Sequence, residues 1–192
     1  MLSRLLMLIL LLSVQNLFAQ FPTKGVGYWG KEFSKDESLF NAKKFLTTEV
    51  LGQSTDVTKF EIDALVAANS GELTTLAYRC GDKSKEGLIL GFYGSQSGEA
   101  GAAGGSYSFK NLAYKDAIEL LTKIETALAD YSKYLDKDHD NNNIYFSFDD
   151  LTILIFNQYA DTKLRIFWKE FDSEWLVNEF RKTKKKLLKT LQ

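Results

Sequence analysis

Ala117, Leu121, Ile124, Leu128, Tyr131 and Leu135 follow one another at intervals of four, three, four, three and four. At 3.6 residues per turn this spacing sets all six on one side of a helix. It predicts an amphipathic α-helix over 112–135, with Asn111 as its N-cap and Glu119–Lys123 as an i,i+4 pair on the opposite side. A helix with one apolar stripe needs a surface to lie on. The stripe covers fewer than three heptads, short for a coiled coil, so a sheet is the expected partner.

The flanking segments supply strands. In KFEIDALV, Phe60, Ile62, Ala64 and Val66 alternate with Lys59, Glu61 and Asp63, the period of a half-buried strand. Asn69-Ser70-Gly71 then reads as a turn. ELTTLAYRC sets Leu76, Tyr78 and Cys80 on one face, and LILGFY reads as a central strand. Beyond the long helix come IYFSF, LTILIF and KLRIFWKEF, with Asp149-Asp150 as a tight turn and Leu164, Ile166 and Trp168 on one face. Ser34 and Glu37 form a capping box for a short helix before the first block. A C-terminal amphipathic helix from about Asp172 carries Leu176, Phe180, Leu187 and Leu191 on its apolar side. Residues 94–106, rich in glycine, read as a flexible loop.

The expected fold is therefore α+β. An antiparallel β-sheet forms as two three-stranded blocks separated by the long amphipathic helix, with helices packed on one face.

The start of the chain points to export. Arg4, the apolar run Leu5–Leu12 and the small Ala19 have the layout of a secretory signal peptide over 1–19. The run is much shorter than the ~20 residues of a membrane span. Residues 20–192 then make a single secreted or periplasmic domain, and a membrane is engaged only if the leader stays uncleaved. A net charge of −1 gives no general attraction to nucleic acid. Cys80 is the only cysteine, so no internal disulfide forms and the thiol is expected to be buried in a strand.

DKDHDNNNI, residues 136–144, is the sharpest local motif. Asp136, Asp138 and Asp140 at alternate positions suit a loose cation site, with Ca²⁺ as the ion. A twelve-residue calcium loop is a stricter demand. Counted from Asp136, its last position falls on Ser147, which is no bidentate ligand. Counted from Asp138, it falls on Asp149, but a strand over Ile144–Phe148 carries Asp149 ~13 Å away at ~3.3 Å per residue. The expected role is a polar connection whose Asn and Asp side chains bond their own backbone.

Other motifs carry less. GVGYWG, residues 25–30, matches a dinucleotide fingerprint in letters but follows no strand. His139, the only histidine, has no nucleophile elbow to serve, and with one cysteine far away it makes no zinc ligand set. RKTKKKLLK, residues 181–189, reads as helix-end cations on a helix whose apolar side covers the sheet. No catalytic residue and no cofactor loop can be named. The expected function is a non-enzymatic binding or interaction module for a protein or small-molecule partner. The alternative is an envelope or extracellular hydrolase using paired carboxylates.

Overall fold

The computed structural model describes residues 39–66, 73–81, 84–94, 106–138, 141–158 and 161–191. Residues 38–192 form one compact unit. The expected signal peptide and Ser34–Glu37 capping box, GVGYWG, the expected Asn69-Ser70-Gly71 turn, most of the Gly-rich loop, His139 and Asp140 lie outside the described residues.

The fold is α+β, built from two antiparallel four-stranded meanders. A helix, α1 (39–51), precedes the first. Its last six residues, Leu46–Leu51, are π-helical. There Thr47 and Thr48 donate back to the carbonyls of Lys43 and Lys44 at 2.9–3.0 Å, competing with the regular ladder. Sheet A then runs β1 (Phe60–Val66), β2 (Leu73–Cys80), β3 (Glu86–Gly94) and β4 (Ser106–Ala113), paired in that order. Helix α2 (Tyr114–Asp130) follows β4 without a loop, and α3 (Ser132–Lys137) continues after a break at Tyr131. Sheet B runs β5 (Asn143–Phe148), β6 (Leu151–Gln158), β7 (Asp161–Trp168) and β8 (Phe171–Leu176), and again a helix follows directly, α4 (Val177–Leu191).

Each block has four strands where three were expected. The missing strands are β4 and β8, absorbed into the loop and helices at the sequence level. Asn111, expected as a helix cap, lies in β4, and the helix starts after Ala113 with no side-chain cap. Asp172, expected to open the last helix, lies in β8. β8 alternates: Phe171, Ser173 and Trp175 are buried while Asp172 is exposed.

The helices do not all pack on one face. Sheet A is covered on both. On one side Leu76, Tyr78 and Ile89 meet Ala42 and Leu46 of α1, and Phe45 lies 5.6 Å from Phe109 between ring centroids. On the other side Leu73, Ala77, Leu88, Leu90, Phe92 and Leu112 join the main core with α2, α4 and sheet B. A sheet covered twice buries both sets of alternate residues, so β2 is buried at Leu73 and Ala77 as well as at Leu76 and Tyr78. In β1 a register shift between Ala64 and Val66 turns Leu65 into the main core, breaking the simple alternation.

The two sheets meet through aromatic rings. Phe92 of β3 lies 5.0 Å from Trp168 and 6.0 Å from Phe171 between centroids. Helix α4 closes the core with Phe180, Leu187 and Leu191, and its buried Thr183 shares a 2.9 Å hydrogen bond with Thr75 of β2. Arg79 donates to the Thr190 carbonyl at 2.5 Å, satisfying an orphan acceptor at the helix end. Gly87 is fixed by space: a Cβ there would lie 2.2 Å from the Leu112 carbonyl oxygen.

Candidate functional site

Helix α2 has two working sides. Ala117, Leu120, Leu121 and Ile124 are buried against the sheets. The other side carries Lys115, Glu119, Thr122, Thr126 and Asp130, all exposed. At 100° per residue these five lie within an arc of about 80°. Ile118 borders this stripe on one flank and Ala127 on the other, each half-buried.

Strand β5 lies beside that exposed stripe, and the two bound a groove of about 910 Å³. This is within the ~300–1,000 Å³ range of ligand sites. Ile118, Ala127, Ile144 and Phe146 give it an apolar lining, while Tyr131 and Tyr145 stand at its rim, 51% and 76% exposed.

β5 is an edge strand, and its register tells which backbone groups face away from β6. Phe148 and Leu151 close a two-residue hairpin, so this pair exchanges both ladder bonds, and by alternation so do Phe146 and Ile144. The N–H and C=O groups of Asn143, Tyr145 and Ser147 therefore point outward. Lys123 agrees with this parity: its ammonium donates to the Ser147 carbonyl at 3.3 Å and sits 4.7 Å above the Phe146 ring. Lys123 thus reaches across to β5 rather than along the helix to Glu119. A lysine over an edge strand blocks one end of it against further pairing.

A second polar cluster ties the sheets together. Lys110 of β4 bonds Asp149 at 2.5 Å and also pairs with Asp150, the two residues of the β5–β6 turn. Trp168 donates its indole N–H to Asp150 at 2.8 Å, and Lys169 lies 4.4 Å over the same indole. Asp149 has a φ of 52°, a left-handed conformation that Asp tolerates better than most residues. Burial alone would raise the Asp150 carboxyl, but the hydrogen bonds from Lys110 and Trp168 outweigh it and hold the group below its ordinary value. Burial pushes the Lys110 ammonium down, and the bonds to Asp149 and Asp150 bring it above the usual lysine range. These carboxylates are neutralised by a cation, which suits a clamp better than acid–base chemistry.

The acidic motif is only partly described. Asp136 is the penultimate residue of α3 and accepts a 3.3 Å hydrogen bond from the buried Asn157. The Asp138 carboxylate accepts from the backbone and side-chain nitrogens of Asn141 at 3.1–3.2 Å. Asn142 donates to the Tyr134 carbonyl at 2.6 Å. Asn143–Phe148 is a strand and Asp149 lies in the turn beyond it, so the twelve-residue calcium loop does not form. Among the described residues no group of three or more His, Cys, Asp or Glu could hold a metal ion.

Cys80 is buried at the end of β2, as its strand position implied. The basic run of α4 has its apolar side against the sheets; Lys184 pairs with Glu125 of α2 at 2.6 Å, and Lys186 donates to the Leu65 carbonyl at 2.6 Å. The groove itself was missed from sequence, because the polar side of α2 reads as an ordinary solvated face. Among the described residues no helix is long and apolar enough to cross a membrane. Compared with protein-family models, curated proteins and solved structures, the chain matches none.

Proposed function

We propose that this chain is an exported, non-enzymatic interaction module whose working surface is the groove between α2 and β5. The observation that carries the reading is the apolar cleft beside an edge strand, with Asn143 and Tyr145 turning unpaired backbone groups outward along it. Export rests on the leader-like residues 1–19. A mature protein beginning at or near Gln20 by mass spectrometry supports it, and a membrane-bound chain beginning at Met1 overturns it.

The alternative, a hydrolase with paired carboxylates, has little to stand on in this groove. Its two acids, Glu119 and Asp130, are eleven residues apart on one helix, about 16 Å along the axis. Glycosidase pairs stand ~5–9.5 Å apart. The acids that are close, Asp149 and Asp150, are held by Lys110.

A photo-crosslinking residue at Tyr145, compared with one at the exposed Val57, tests the docking role in cells that export the protein. The reading expects a defined crosslinked species from position 145 and none from 57. Equal yields from both positions, or none from either, would overturn it.

A further inference from the structure

Resting on the reading of the α2–β5 groove as a docking surface, we infer that its partner is a second copy of this chain, bound through α2 about a two-fold axis.

The exposed stripe of α2 has opposite charges at its two ends. Lys115 lies in the first turn and Asp130 is the last residue, and neither of them, nor Glu119, has an ion-pair partner among the described residues. The middle of the stripe, Thr122 and Thr126, is small. Such a face is complementary to itself in one direction only. Laid antiparallel about the midpoint between Thr122 and Lys123, Lys115 meets Asp130 of the other copy, and the symmetry repeats the pair. Glu119 then comes within one turn of Lys123 of the other copy. Laid parallel, Lys115 would face Lys115 and Asp130 would face Asp130. The small central residues permit the ~8–10 Å approach of packed helices. A two-fold axis with a self-complementary patch is the commonest arrangement of homo-oligomers.

Sedimentation equilibrium on the mature protein, over a wide concentration range at low salt, tests the inference together with charge reversal. The wild type is expected to approach twice the chain mass. Lys115→Glu and Asp130→Lys each place like charges together twice, and each is expected to weaken the dimer at least tenfold. The double variant restores both pairs in reversed sense and is expected to recover the wild-type affinity. Both positions are exposed, and unchanged far-UV circular dichroism and melting temperature confirm that each variant folds. A wild type that remains monomeric throughout would overturn the inference, as would single reversals without effect or a double variant no better than the singles. Crosslinking from Tyr145 separates this failure from failure of the docking reading itself. A monomeric protein that still crosslinks to a different chain from that position loses the second copy and keeps the groove; one that crosslinks to nothing loses both.

Discussion

Lys110→Met removes one cation from between two carboxylates while keeping the length of an unbranched side chain. The Lys110 side chain is only 13% exposed, whereas those of Asp149 and Asp150 are 63% and 53% exposed. An exposed ion pair is worth ~0–1 kcal/mol, and stranding one member of a buried pair costs ~3–5 kcal/mol. Here the stranded members are the acids, and water already reaches them. The loss should therefore fall between those limits, about 1–2 kcal/mol. For a unit of this size that lowers the melting temperature by ~2–8 °C. Urea unfolding followed by circular dichroism measures it, with an unchanged slope showing that the transition remains comparable. A double-mutant cycle with Asp150→Asn should return most of the loss as coupling.

The pH dependence has a definite sign. The Asp150 carboxyl is held below its ordinary value in the folded chain, so its contribution is present above the unfolded value near ~3.9 and disappears as pH falls through the folded one. Lys110 is raised, so its contribution is present below the ordinary ~10.4 and disappears as pH rises through the folded value. The difference between wild type and Lys110→Met should be full near neutrality and shrink at both extremes. A loss below ~0.3 kcal/mol, or one that persists unchanged into strong acid, would refute the clamp.

Leu121→Ala, at a fully buried position of α2, should cost ~2–5 kcal/mol, while Leu128→Ala, only half-buried, should cost about half as much; urea unfolding that ranks them the other way would misplace the helix. Excess calcium and excess chelator should give the same melting temperature, because Asp136 and Asp138 already bond Asn157 and Asn141. A calcium-dependent rise abolished by Asp138→Ala with Asp140→Ala would reveal a site in the acidic loop. Burial raises the Tyr78 hydroxyl above its ordinary value, so its neutral form favours folding below pH ~10 and that contribution is lost as pH rises through the folded value. Tyr78→Phe should flatten the alkaline decline in stability.

Periodicity made the centre of the fold legible. The stripe Ala117, Leu121 and Ile124 is buried as its spacing required, LILGFY is the central strand β3, and Leu164, Ile166 and Trp168 share the core face of β7. The lost elements fail for local reasons. SYSFKNLA carries Ser and Asn at positions that read as loop and cap, and it runs into α2 without a turn to mark the boundary. FDSEWL passes just as directly into α4, so nothing local separates its alternation from a first helical turn. The α1 helix shows why one-face covering failed: Leu46 and Ala42 sit against Leu76 and Ile89, a long-range contact that no local period encodes. The groove was illegible for a related reason. Lys115, Glu119 and Asp130 have the composition of a solvated face, and only the arrival of β5 beside them makes a cleft.

That β5 borders an open groove in the folded chain is the claim on which the functional reading depends, and amide hydrogen exchange on dilute protein, resolved residue by residue, tests it most directly. Ile144, Phe146 and Phe148 bond β6 and should be protected, whereas the Asn143 and Tyr145 amides face the groove and should exchange near the rate of an unprotected chain. Protection of Tyr145 equal to that of Phe146 in the dilute protein would mean that the edge is already paired, and would contradict the account.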